Sequence, residues 1–272
     1  MIDKSAFRPI NEDHAIQSVK FVLAFRNLIA PDAVQQVLEA HSAWSETLPA
    51  FLLNEATVEA GPKRITVPVA TFAFLRPNGV ANWSMEVGGN QVTVECLLYT
   101  RWKRVWDAAS GYLRMACSRL ADAQSALQLA SIELTVRDVF ISAHQDYKLG
   151  NLFYENSGYL SPTIFATKGA WHSNVGWFET SGDSMATLNH LNADAAPSSD
   201  QRGWAIGVTH LQQERFAASI SIANLFDTIP SMIDVSMSRM HSQNKRLLLR
   251  LLKSEMTNKI GLALGGSDER LG

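Results

Sequence analysis

The chain is 272 residues long, 46% hydrophobic and 18% charged, long enough to bury a substantial core as one large domain or two closely packed ones. Its formal charge of −2 excludes a protein that coats nucleic acid generally, though not one with a local basic patch. Cys96 and Cys117 have neither CxxC spacing nor a disulfide framework around them, which excludes a cysteine-stapled domain and predicts reduced, buried thiols.

Residues 1–13 read as a leader with few constraints and lack the charged-then-apolar pattern of a secretory signal. Residues 16–25 place Val19, Phe21, Leu23 and Phe25 on one face at period two, which predicts a strand. Pro31 suits a first helical position, and Val34, Val37, Leu38 and Trp44 follow at helical spacing. That helix should stop before Leu48-Pro49. Residues 54–64 (NEATVEAGPKR) are small and polar and read as a loop. Strands at 71–77 and 80–87 then meet at Asn78-Gly79, a pair that favours a type I′ hairpin.

Gly88-Gly89-Asn90 turns the chain into a third strand, 91–99. An amphipathic helix follows over 101–123. Trp102, Trp106, Leu113 and Leu120 anchor its core face, with Ala109 and Cys117 between them. A long strand over 127–142 completes a β-α-β-β-β-α-β order. In the second half, 146–154 reads as a short helix and 157–168 as a loop. Strands are expected at 171–178, 185–193 and 203–215, with a terminal helix over roughly 229–259. The polar, Gly-rich end from about residue 265 is expected to be disordered.

The expected fold is α+β: two similar antiparallel β-meander-plus-helix halves, 1–144 and 145–272, each sheet covered by a long helix. No window approaches eighteen uninterrupted apolar residues, so a soluble, cytoplasmic protein without membrane contact is expected.

Signatures of catalysis are missing. Gly88-Gly89 lacks the Lys and Ser or Thr of a phosphate loop, and neither GxSxG nor HExxH occurs. This argues against an enzyme and for no cofactor. His172, His190 and His210 fall on three successive predicted strands. A turn centred near Ser181 would set His172 opposite His190, and a loop centred near Asp200 would set His210 beside His190. Three adjacent imidazoles could hold the metal of a hydrolase. Strand parity speaks against it, because Trp204, Ile206 and Val208 turn even positions to the core while His172 lies opposite Trp171, Val175 and Trp177.

Arg239, Arg246, Arg250 and Lys253 fall within roughly 60° on the terminal helix. This stripe could contact nucleic-acid phosphate or an acidic partner, or simply be a solvated face. No aromatic residue sits within it, which weakens a base-stacking role. Glu133 and Asp138 lie five apart on a strand and so point to opposite faces. Asp138, among aromatic and β-branched neighbours, reads as a buried carboxylate in a structural ion pair.

Four segments together resemble a sporadically distributed family of uncharacterised bacterial proteins of about this length. They are HAIQSVKFVLAF followed by a helix and Leu48-Pro49; Tyr99-Thr100-Arg101-Trp102, like a Tyr-x-x-Trp opening of a helix after a β-meander; LTVRDVF, like a leucine-aspartate-phenylalanine strand; and Met240-His241. Glu133 and Thr135 depart from the pattern, where glycine and a polar or basic residue are expected. The resemblance implies no catalytic residues. Its patchy distribution implies a phage-defence or toxin–antitoxin-like setting.

The function expected is a non-catalytic protein-interaction or assembly subunit, joined to a protein partner or to itself through a sheet edge or aromatic surface. Seven Trp, 12 Phe and the low charge motivate it, beside the plainer reading of a well-filled core.

Overall fold

A computed structural model describes residues 7–60, 63–181, 185–198 and 203–262; the expected disordered tail lies outside them. The first half runs β1 (Phe7–Pro9), β2 (Ile16–Phe25), α1 (Pro31–Glu39), β3 (Ala50–Ala60), β4 (Lys63–Leu75), β5 (Ala81–Gly88), β6 (Gln91–Cys96), α2 (Trp102–Ala123) and β7 (Gln128–Ser142). The second runs α3 (Pro162–Ala166), β8 (Trp171–Ser181), β9 (Met185–Pro197), β10 (Trp204–Ser221), α4 (Met232–Leu251) and α5 (Ser254–Lys259).

The mixed α and β content and the antiparallel pairing are as the sequence implies. The strands form a single sheet, ordered β3-β4-β5-β6-β2-β7-β10-β9-β8, with β1 also against β7. Two separate sheets were expected. They are fused because β7 pairs on both flanks, Leu134 lying opposite Phe21 of β2 and Gln212 of β10. The expected loop at 54–64 contributes most of an edge strand, β3. The short helix expected at 146–154 is a single 3-10 turn, Leu149–Asn151, and α3 falls where a loop was expected. The terminal helix breaks after Leu251.

At Asn78-Gly79 the hairpin forms with a different turn. A two-residue I′ loop would need an N–H from Pro77, which has none. The Arg76 N–H instead donates to Val80 O (2.8 Å), Gly79 N donates to Arg76 O (2.9 Å), and Gly79 takes φ +80°. The strand register slips between Phe74 and Leu75. This is a turn around Pro77 closed by a glycine bulge.

Two apolar clusters fill the protein. The first joins β2, β4, β5, β6 and β7 to α1 and α2 through Phe21, Phe72, Trp106, Leu113, Leu120 and Leu134; Trp102 packs on its margin. The second joins the β8–β10 region through Phe140, Phe153, Trp171, Leu191 and Ile206. Helix α4 belongs to both, giving Ile233, Met237 and Met240 to the first and Leu247, Leu248 and Leu251 to the second.

Its N-terminus is held by a capping box between Ser231 and Asp234. Asp234 also accepts from Trp106 Nε1 (3.0 Å) and Arg114 Nη2 (3.0 Å) of α2. Cys96 and Cys117 are buried, unpaired thiols. Burial pushes them up to about 11 and about 12, so both stay protonated and unreactive at neutral pH. No helix among the described residues is long and apolar enough to cross a membrane.

Candidate functional site

Along β10 the helix-facing side chains change character. Ile206 and Val208 are apolar; His210, Gln212 and Glu214 continue the same face, all buried. Opposite them α4 presents Ser236, Arg239, Gln243 and Asn244. His210 Nδ1 lies 3.0 Å from the Asn244 side-chain amide and Nε2 lies 3.0 Å from that of Asn189 on β9. Gln212 Nε2 donates to Gln243 Oε1 (2.8 Å). Arg239 donates twice to Glu214 Oε1, from Nε at 3.0 Å and from Nη2. At the open end a cavity of about 120 Å³ is lined by Arg246, Arg250, Tyr159 and Trp177 with His210. The Trp177 ring lies nearly parallel to His210, 6.0 Å away.

Burial pulls His210 from 6.5 down to about 4, against the opposing effects of the Asn244 hydrogen bond and Glu179. Between those pH values the unfolded chain binds a proton that the folded chain refuses. Stability contributed by the neutral ring is therefore complete above pH 6.5 and lost as pH falls to about 4, by at most about 3 kcal/mol. Urea midpoints for wild type and His210→Asn between pH 4 and 7 should converge as pH falls. A constant gap would rule this titration out.

The four cations of the predicted stripe separate. Arg239 is committed to the fully buried Glu214. Lys253 lies beyond the end of α4, its Nζ 4.5 Å above the Tyr154 ring. Arg246 and Arg250 alone share the cavity. Its aromatic walls come from the 3-10-to-β8 connection and from β8, so spacing along the helix held no sign of them.

The three histidines do not converge. The β8–β9 hairpin is centred two residues later than expected, so His190 faces Gly176 while His172 faces Asp194. On β10 it is Leu211 that lies opposite His190, and His210 lies opposite Leu191. That one-residue slip puts His190 and His210 on opposite faces. His172 is exposed, and His190 contacts Asn174 Oδ1 through Nε2. No group of three or more His, Cys, Asp or Glu able to hold a metal occurs among the described residues.

Nor does Asp138 form an ion pair among the described residues. The pair belongs to its neighbour Arg137, on the opposite face, which reaches Asp194 (3.3 Å), Thr209 (2.9 Å) and Gln17 (3.0 Å). Glycine at 207 makes this possible, since a Cβ there would stand 2.5 Å from the guanidinium.

A run of exposed apolar side chains lies at the β3 edge, where no strand was expected. Phe51 and Leu52 are each 57% exposed, and Leu53, Phe74 and Leu75 of β3 and β4 are 40–46% exposed. β3 pairs only with β4 among the described residues, so its outer row of backbone donors and acceptors is open. The run Ala50-Phe51-Leu52-Leu53 was the available signal. No family model, curated protein or solved structure gives a significant match to this chain.

Proposed function

We propose that the protein is a non-catalytic assembly subunit that pairs with a second copy of itself through β3. The exposed apolar run at the strand's start carries the reading. An antiparallel pairing about a two-fold axis at Leu52 sets Phe51 opposite Leu53 of the second copy, and Leu52 opposite its equivalent on the other face. Apolar meets apolar on both faces, as an isologous contact requires. This register also keeps the two Glu55 carboxylates about 20 Å apart, whereas an axis at Glu55 would oppose them.

Light scattering on the eluting protein should give twice the chain mass. A Leu52→Lys/Leu53→Lys variant should elute as a monomer with unchanged thermal stability, because lysine on an edge blocks strand addition. A wild-type monomer at high concentration would sink the proposal. The phage-defence or toxin-neutralising setting implied by the resemblance is tested by co-expression with genomic neighbours.

A second reading, phosphate or nucleic-acid binding at α4, is favoured by Arg246 and Arg250 meeting Tyr159 and Trp177 around one cavity. It predicts binding that weakens with salt and with Arg246→Ala/Arg250→Ala. A metal-dependent hydrolase built on His172, His190 and His210 is not carried forward, because the strand register holds them apart.

A further inference from the structure

Strand β7 changes partner along one flank. Its first part pairs with β2 as far as Asp138, opposite Ile16. Its last three residues pair with β1, beginning with Phe140 opposite Pro9. The intervening chain is pinned on both sides of Val139, which accepts from Ile10 N (2.9 Å) and donates to Ala15 O (2.8 Å). The β2 register slips between Ile16 and Ser18. Slips of this kind re-aim side chains, and this seam opens a cavity of about 100 Å³ on the helix-covered side, lined by Asp138.

The segments singled out in the sequence meet here. His14 comes from the seam, Tyr99 from the connection before α2, Trp102 from the first residue of α2, and His241 and Lys245 from one stripe of α4. The Trp102 and His241 rings stack in parallel, 3.9 Å apart. His14 meets Tyr99 edge-on at 5.3 Å. Of the lining residues, Asp13, Thr100, Arg101 and Gly261 are exposed and mark the mouth, while Lys245 is half-buried.

Asp138 is 2% exposed, and no donor reaches its carboxyl among the described residues. Burial alone pushes it up to about 7. The contrast is Glu214, which is fully buried and held by Arg239 through one of its two oxygens. The Asp138 oxygens open onto the cavity, and a deeply set carboxylate without protein donors is a cost to the fold that a ligand supplying the donors would offset.

Three features fix the chemistry. Two carboxylate oxygens without donors match a planar fork of two N–H groups. Aromatic walls suit a flat group. Arg101 and Lys245 can meet an anionic tail, although the exposed Asp13 carboxylate shares the opening.

We propose that this cavity binds a small planar ligand whose guanidinium or amidine N–H edge pairs with the Asp138 carboxylate, its anionic end lying toward Arg101 and Lys245. The shared chemistry occurs in guanidino acids and in the base edge of guanine nucleotides. The site lies on the helix-covered side of the sheet and goes beyond the association at β3.

The test is calorimetric and thermal-shift titration of the full chain with guanidinoacetate, L-arginine and GMP as separate probes. Wild type should bind at least one of them at pH 8 with a rise in Tm. Binding by guanidino compounds alone, or by GMP alone, identifies the source. Asp138→Asn should lower affinity about tenfold or more while melting higher than wild type at pH 8, which shows that it folds. Lys245→Ala should weaken binding with less effect on Tm.

Affinity should fall on acidification below about pH 7. Asp13, His14, Tyr99, Arg101, His241 and Lys245 also line the cavity, so the same titration of Asp138→Asn separates their contribution. No response of wild type to any probe, or binding unchanged in Asp138→Asn, overturns the proposal.

Discussion

Trp106→Ala will destabilise the protein by about 4 kcal/mol, seen as a lower urea midpoint with an unchanged slope. The indole is 7% exposed, lies 5.3 Å from the Phe21 ring and belongs to the first cluster. Its removal leaves a cavity between a helix and a sheet, neither of which can close in without dragging the other. The variant also loses the Nε1 bond to Asp234, and with it one tie between α2 and the capped start of α4. Trp106→Phe separates the two effects, because the ring largely remains and only the hydrogen bond goes; about 1 kcal/mol is expected. Equal losses from the two variants would mean that the cap contact, and not burial, governs the site.

Arg239→Ala will cost a comparable amount, about 3–5 kcal/mol, although it removes a side chain that is one-third exposed. The reason lies with its partner. Glu214 is completely buried, takes both Arg239 bonds on Oε1, and its Oε2 has no partner among the described residues. Without the guanidinium a carboxylate is stranded under α4. Arg239→Met combined with Glu214→Gln should recover most of the loss, since neutralising both members removes the stranded charge. If the single variant melts like wild type, the pair contributes nothing to stability. Neutralising Arg239 together with Arg246, Arg250 and Lys253 would therefore confuse loss of fold with loss of binding, so the nucleic-acid reading is better tested at Arg246 and Arg250.

Periodicity made the regular core legible. β2, α2 and β7 were readable because each buries one continuous face, and the alternation of Val19, Phe21, Leu23 and Phe25 or the helical spacing of Trp106, Leu113 and Leu120 follows directly from that. β3 was not, because an edge strand exposed on both faces has no reason to alternate. The Asn78-Gly79 hairpin was readable but its turn was not, as the missing N–H of the preceding Pro77 outweighed the preference of the pair.

Side-chain chemistry depended on finer geometry. A slip of one residue between β9 and β10 put His190 and His210 on opposite faces, and a loop sequence does not fix register that closely. Asp138 was rightly read as buried. That no donor meets it depends on β7 changing partner from β2 to β1, a property of the assembled sheet. Arg137, one residue away, took the ion pair instead.

The double membership of α4 has a consequence for how the protein is made. As the chain leaves the ribosome, β2, α1, β3 to β6, α2 and β7 emerge long before β10 can cover the far flank of β7, and longer before Ile233, Met237 and Met240 can complete the first cluster. Such late, distant contacts slow folding and leave apolar surface uncovered meanwhile. Phe21, Trp106 and Leu134 wait for a helix synthesised about a hundred residues after β7 begins. Commitment to the native state therefore has to await the synthesis of α4.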